Sequence, residues 1–305
     1  MKIARYRRDG GAARLARVDG DTLVDISDVP GVGTSLTAIL PRLGELAAAI
    51  TAARGPEMPV AEVVLEAPID SPQKYLGIGM NYQRHAEEAA AAGIPIPSSQ
   101  LWFNKQVSCI VGPHDDIHRP RVSEQLDYEI ELGVVIGRAA RHVTREDARS
   151  YIAGYLVTND VSVRDWLQKR SPTFTLGKSF DTHGPIGPWL TTDDEIADPL
   201  DLQMTLTVNG EVRQDWRTDD MIYDIYDQIA YLSQVFTLQP GDILATGTPA
   251  GIAAPTQNWL VPGDVVRAEI SGLGAIENRV VDEPATSSTP ASSTSASSTD
   301  TKDPR

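Results

Sequence analysis

Three acidic side chains at alternate positions, Asp127, Glu129 and Glu131, stand in the segment LDYEIELGVVIG, Leu126 to Gly137. In an extended strand alternate side chains share a face, so these three point one way while Tyr128, Ile130 and Leu132 point the other. Alternating acids suit either a solvated outer surface or a site for a hard divalent cation. Two features favour the cation. The strand runs straight into VVI, which reads as a fully buried continuation. Like charges side by side also repel and raise one another's pKa unless a cation lies between them. Asp160 closes the hydrophobic run YIAGYLVTND and supplies a third oxygen donor where a strand meets a loop. Its ordinary role there is a helix cap, for which Asn159 and Ser162 also serve. Mg2+ (or Mn2+) on such donors keeps its remaining positions for water and substrate.

The segment GIGMNYQRHAEE offers a second kind of chemistry. His85 and Glu88 are three apart on an expected short helix, which places imidazole and carboxylate on one face. Such a pair works as a general base, the carboxylate orienting the ring and stabilising the imidazolium; it also occurs as a plain surface pair. The following AAAAGIPIPSS reads as a lid that orders over substrate. Lys178, in FTLGKSFDTHGPIGPW, supplies a positive group for a substrate carboxylate or a developing enolate. Arg164, four residues after Asp160, is either an ion-pair partner or an anion anchor. Cys109, the single cysteine, has no basic neighbour in sequence and reads as a buried small side chain.

The elements that must position these groups are mainly strands. KIARYR, AARLARV and TLVDI form an antiparallel meander. Ser35 to Ala53 has helical apolar spacing that Pro41 and Gly44 should break. YLGIGMN, YEIELGVVIG, YIAGYLVTND, LQMTLTVNG, DILATGT and DVVRAEIS carry strand patterns. Arg145 to Tyr151 and Met221 to Leu232 read as helices. The triplets Pro240–Asp242 and Pro262–Asp264 each open a turn before a strand. We expect a small N-terminal unit over 1–67, a catalytic body over 68–283, and a Ser/Thr/Pro-rich tail over 284–305 too poor in apolar groups to fold.

Composition narrows the partners. The 305 residues carry a formal charge of -15, with 27 Lys plus Arg against 42 Asp plus Glu. Such a surface repels phosphate backbones and anionic lipid, so neither nucleic acid nor membrane is expected. One cysteine makes no intrachain disulfide and no Cys-type zinc site. No signal core or bilayer-length apolar run is present, which makes the cytoplasm the expected compartment. GxGxxG opening a helix, GxxxxGK[ST] and GxSxG are all missing, so the dinucleotide, P-loop and α/β-hydrolase readings lack support.

Taken in order, GMNYQRHAEE, FNK, LDYEIELGVVIG, AGYLVTNDVSVRD, GKSFDTHGPIGPW, VNGE, YLSQVFTLQPGDILATGTPAG and PGDVVRAEISGLG resemble the fumarylacetoacetate hydrolase family across roughly Lys74 to Val280. The resemblance implies an α+β, β-rich fold: a mixed β-roll or β-sandwich catalytic domain with a small N-terminal α+β domain, commonly a homodimer. It implies Mg2+ (or Mn2+) on Glu129, Glu131 and Asp160, a His85–Glu88 dyad, and catalytic Lys178. It places Tyr82, Arg164, Lys178 and Thr248 at the substrate, and leaves Asp127 to fix neighbouring backbone. Two departures touch specificity: RDWLQ stands where the family has RDxQ, which leaves Gln168 without an assigned role, and AGIAAPTQNW follows the TGTP turn. The implied reaction is hydrolytic C–C cleavage of an acylpyruvate or β-diketo acid. Isomerisation or decarboxylation of a 2-oxo or 2-hydroxydienoic acid suits the same site, and a non-catalytic binding protein would have lost the dyad or the ligands.

Overall fold

The computed structural model describes residues 1–91, 93 and 95–285. Most of the expected tail lies outside the described residues, as do two positions of the expected lid. Two mixed sheets dominate. The larger has twelve strands, ten of them on one hydrogen-bonded path. Its centre is the strand Ile130–Ile136, antiparallel to Ile152–Asn159 on one side and to Ile243–Ala245 on the other. Ile243–Ala245 runs parallel to Tyr75–Gly79, and Leu101–Lys105 closes that edge. On the far side Ile152–Asn159 pairs with Gly184–Thr192, which pairs with Lys2–Arg7. The second sheet joins Glu211–Arg217, Gln203–Val208, Val265–Ile270, Gly274–Asp282 and Ile117–Arg119.

The two sheets pack face to face. Ile130, Leu132 and Val134 of the large sheet meet Met204, Leu206, Val266, Ala268 and Ile276 of the small one in a single apolar cluster. Small-sheet strands show the alternation of a half-solvated sheet: Val265–Ile270 buries every second residue. The other face of the large sheet is covered by the N-terminal segment, where Leu36, Ile39, Leu46 and Ile50 pack on Val135, Leu156 and Ile243. Covered on both faces, Ile130–Ile136 is buried at every position, and acids at its head are buried with it. The N-terminal strands extend this same sheet, so 1–67 and the body share one hydrogen-bond network.

Local expectations fare unevenly. The meander Lys2–Arg7, Arg14–Asp19, Thr22–Asp25 forms as read. The first helical stretch does break at Pro41, which sits in a 3₁₀ turn between Leu36–Ile39 and Leu43–Ala52, whereas Gly44 is carried inside the second helix. Of Arg145–Tyr151 only Ala148–Tyr151 coils, as a 3₁₀ turn. The Met221–Leu232 helix starts later, at Ile225, because Asp224 caps it by accepting from the Tyr226 and Asp227 amides. The two PGD triplets use one solution. Asp242 accepts from the Gln239 amide at 2.7 Å and Asp264 from the Val261 amide at 2.8 Å. Gly184–Thr192 is a strand that its two prolines disguised.

One glycine sets how closely two strands approach. A Cβ on Gly154 would lie 2.1 Å from the Thr191 carbonyl oxygen. Backbone, unlike a side-chain tip, cannot turn aside. Gly154→Ala should therefore cost about 1–3 kcal/mol through overpacking, read as a lower urea midpoint with unchanged slope; an unaltered midpoint would contradict this packing.

Candidate active site

Four strand ends converge at one margin of the large sheet. Ile130 faces Asn159 and Glu131 faces Thr158 across the antiparallel pair, so Glu129 and Asp160 are brought together where one strand begins and the other ends. Ile243–Ala245 and Tyr75–Gly79 are parallel and finish at the same margin, delivering the Thr246–Pro249 turn and Met80–Asn81. Asn81 ties the last two: its Nδ2 donates to the Thr246 and Tyr223 carbonyls at 2.7 and 3.0 Å.

Glu129, Glu131 and Asp160 are buried, with ligand oxygens all within 4.8 Å of one another. Hard oxygen donors so placed match a divalent cation such as magnesium or manganese, and the donor set fits. The protein meets these charges with its own cations. Lys178 Nζ donates to Glu129 Oε2 and Asp160 Oδ2, both at 2.6 Å. Arg164 pairs through Nη2 with Glu129 and through Nε with Asp127 Oδ2 at 2.6 Å. Lys105 Nζ donates to Asp160 Oδ1 at 2.5 Å. Four buried carboxylates thus face three buried or half-buried cations. Glu131 is the one without an ion pair among the described residues; the Gly247 amide donates to its Oε2 at 2.8 Å. Gly247 needs its left-handed φ of 99°, and a Cβ there would come 2.8 Å from the Asn81 Cβ.

The electrostatics follow. Burial raises Glu129, but Lys178 and Arg164 outweigh it and bring its carboxyl down to about 2. Burial, reinforced by Asp160 and Glu129, pushes Glu131 well above the usual range. Burial lowers the pKa of His85, and Arg164 and Lys178 add to this while Glu129 and Glu88 oppose it; the ring is neutral at pH 7.

All of these groups but Asp160 and Glu88 line a cavity of about 400 Å³. His85, Glu129, Glu131, Arg164, Lys178 and Thr248 contribute polar wall, while Leu101, Phe103, Leu167, Phe174 and Ile252 contribute apolar wall. Gln168 also reaches it, because four residues after Arg164 is the same face of the helix Arg164–Lys169. The extra residue in RDWLQ therefore does not carry Gln168 away.

Several expected roles need correction. Tyr82 does not line the cavity: it is fully buried between the sheets, and its hydroxyl donates to Met204 Sδ at 3.1 Å. A large aromatic at a strand end is drawn into the apolar layer when one of its faces meets the core. His85 and Glu88 share a helix face, but His85 Nδ1 and Glu88 Oε2 stand 3.9 Å apart, outside hydrogen-bond range, and the Glu88 side chain is 44% exposed. Nδ1 is buried with no partner among the described residues. Thr248 lines the cavity, yet its hydroxyl already donates to the Ile130 carbonyl at 2.9 Å. Arg164 is an ion-pair partner as well as a cavity residue. Asp127 does fix backbone, accepting from the Ala253 and Ala254 amides at 2.7 and 3.2 Å.

Lys105 and Gln214 serve the site without having been singled out from the sequence. Lys105 ends FNK, a motif quoted above, but its contact with Asp160 spans 55 residues. Gln214 accepts from the Ile130 amide at 3.0 Å and donates to Thr248 Oγ1 and the Pro249 carbonyl, each at 2.9 Å. No local signal marks it.

A family model described as "Fumarylacetoacetate (FAA) hydrolase C-terminal" matches residues 74–281. The chain is 43% identical over 233 residues to the human protein named Oxaloacetate tautomerase FAHD2B, mitochondrial, covering 75% of this chain and 73% of that one. Among solved structures, the fumarylacetoacetate hydrolase of Exiguobacterium antarcticum superposes with a TM-score of 0.83 at 35% identity, over 93% of this chain and 100% of that one. A maleylpyruvate hydrolase from Sphingobium sp. SYK-6, in complex with manganese(II) ion and pyruvate, does so with 0.76 at 34% identity and the same coverage. Among the described residues no helix is long and apolar enough to cross a membrane; the human relative's mitochondrial name lends no support to a cytoplasmic location.

The cluster makes a thermodynamic prediction. A carboxyl whose folded pKa is raised stabilises the fold at low pH and loses that contribution as pH rises through the raised value. Glu131→Gln should thus raise the melting midpoint of metal-free protein at pH 7. Mn2+ at 100 times its Kd should stabilise the unsubstituted protein by about 2.7 kcal/mol, and Glu131→Gln should lose that increment. Calorimetry with and without EDTA reads both, and an unchanged Mn2+ response in the variant would remove Glu131 from the ligand set. Held by these strand ends and matched by that family model over most of its length, the chain belongs to the fumarylacetoacetate hydrolase family.

Proposed function

We propose that this chain is a divalent-metal-dependent enzyme that moves a proton between carbon and oxygen of a 2-oxo acid, a keto–enol tautomerase. The observation that carries the reading is one cavity shared by a neutral, mostly buried imidazole and the carboxylates Glu129 and Glu131. The human relative named as an oxaloacetate tautomerase supports the reaction class. Bound by Glu129, Glu131 and Asp160, a divalent cation supplies Lewis-acid stabilisation of negative charge developing at a 2-oxo oxygen.

The chain's own residues do the rest. His85, neutral at pH 7, accepts the proton as the C3–H bond breaks. The released electron pair becomes the C2–C3 double bond, and the 2-oxo oxygen takes a proton from His85⁺ or solvent. Lys178, a donor in the same cavity, offers Nζ to the oxygen on which charge grows. Leu101, Phe103, Leu167 and Phe174 exclude water and strengthen these interactions. The reading includes a homodimer, which light scattering checks.

C–C hydrolysis of an acylpyruvate, the reaction that the family resemblance implies, is the second reading. It is favoured by His85 and Glu88 on one helix face and needs their 3.9 Å separation to close to a hydrogen bond. Water would then add to the distal carbonyl, the C–C bond would break, and C3 would take a proton. Decarboxylation would release CO2 instead.

Incubation with oxaloacetate and Mn2+ in D2O separates these outcomes. Tautomerisation exchanges C3 hydrogens above the rate of the metal-containing buffer and leaves the carbon skeleton whole; fragments, or CO2, would displace the reading. His85→Ala should lower kcat by about 10²–10⁴, with much less effect on substrate binding, and retention of full rate would sink the base assignment. A base of depressed pKa is lost only as pH falls through that lower value. The acid limb of kcat/KM should therefore lie below the ordinary imidazole pKa of about 6.5, and vanish in His85→Ala.

A further inference from the structure

Glu129, Glu131 and Asp160 each have one oxygen held by a group other than Lys178. For Asp160 it is Oδ1, held by Lys105 Nζ at 2.5 Å. For Glu129 it is Oε1, held by Arg164 Nη2. For Glu131 it is Oε2, held by the Gly247 amide at 2.8 Å. The remaining oxygens of Glu129 and Asp160 share Lys178, which lines the cavity.

Lys105 differs from Lys178. Its side chain is fully buried and lies outside the cavity lining. Its ammonium also donates to the His183 carbonyl at 2.9 Å and sits 5.7 Å from the centre of the Tyr75 ring. Tyr75 is pinned in turn by its hydroxyl against Thr158 Oγ1, on the residue that pairs with Glu131. An ammonium so enclosed stays with Asp160 whatever enters the cavity.

A carboxylate with one oxygen held by a buried cation meets an ion through the other oxygen alone. Magnesium-sized ions accept this, since they bind few carboxylate oxygens, octahedrally, and keep several waters. Calcium takes six to eight oxygens at longer distances and gains from bidentate carboxylates.

We infer that Lys105 is a positioning residue: with Arg164 and the Gly247 amide it leaves Asp160, Glu129 and Glu131 one oxygen each for an ion, those of Glu129 and Asp160 being shared with Lys178, and so selects a magnesium-sized cation over a calcium-sized one. The inference rests on the metal site proposed above and not on the reaction run there.

The test is the ratio of Ca2+ to Mn2+ dissociation constants for the full chain, from electron paramagnetic resonance of free Mn2+ with Ca2+ as competitor. Removing an outer partner of a metal ligand weakens binding about 10–100-fold. Lys105→Met should weaken Mn2+ by that factor and Ca2+ much less, because Asp160 regains its second oxygen, so the ratio should shrink about tenfold. Lys105→Arg, which keeps a cation beside Oδ1, should return the ratio toward the unsubstituted value. A merely structural lysine would shift the urea midpoint and leave the ratio alone. If Lys105→Met does not fold, the same ratio is read on Lys105→Gln, which replaces the ammonium by a neutral amide. An unchanged ratio, or equal weakening of both ions, overturns the inference. A ratio that moves as expected in a protein without tautomerase activity leaves the inference standing and removes the proposed function; a chain that binds no divalent ion removes both.

Discussion

Four carboxylates buried at one sheet margin are the constraint around which this molecule is arranged. Removing an ion from water costs several kcal/mol even after relaxation, so Asp127, Glu129, Glu131 and Asp160 are tolerable together only because charges and amides are brought to them. Arg164 arrives from a short helix, Lys178 from a 3₁₀ turn, Lys105 from an edge strand, and the Gly247 amide from a left-handed turn. The second sheet and the N-terminal helices serve the same end. They cover both faces of the large sheet, and for buried groups each of these contacts is worth more than it would be in water.

The balance is deliberately incomplete. Asp127 spends its acceptors on Arg164 and on the Tyr128, Ala253 and Ala254 amides, which makes it scaffold for the cavity rim rather than a ligand. Glu129 and Asp160 share Lys178. Glu131 has an amide and no ammonium among the described residues, and burial beside Asp160 and Glu129 raises its pKa. The nearby imidazole is held neutral by burial. A site with one under-compensated carboxylate and one uncharged base has the two components that proton transfer next to a carbonyl requires.

The acids on Leu126–Gly137 were legible because strand periodicity is local: alternate residues share a face whatever the rest of the chain does. Asp160 was legible as a charge ending an apolar run, and Lys178 and Arg164 through the order of motifs. The surroundings of Tyr82 and Glu88 were less legible. Sequence put Tyr82 beside the site, and the side chain went to the apolar layer between the sheets. Helical spacing put Glu88 on the face of His85 without deciding that the two would meet.

Lys105, Gln214 and Asn81 lie beyond any local reading. Each acts through contacts that only sheet register creates: Lys105 with Asp160, 55 residues apart; Gln214 with Ile130, 84 apart; Asn81 with Thr246, 165 apart. By itself the sequence determined a strand-rich chain, a row of acids on one strand face, and membership in a family of shared motifs, because periodicity and motif order are properties of neighbouring residues. Tertiary structure alone decided which partner holds each carboxylate oxygen. That choice depends on angstrom-scale distances between segments whose relative placement is set by the pairing of strands and the burial of their faces.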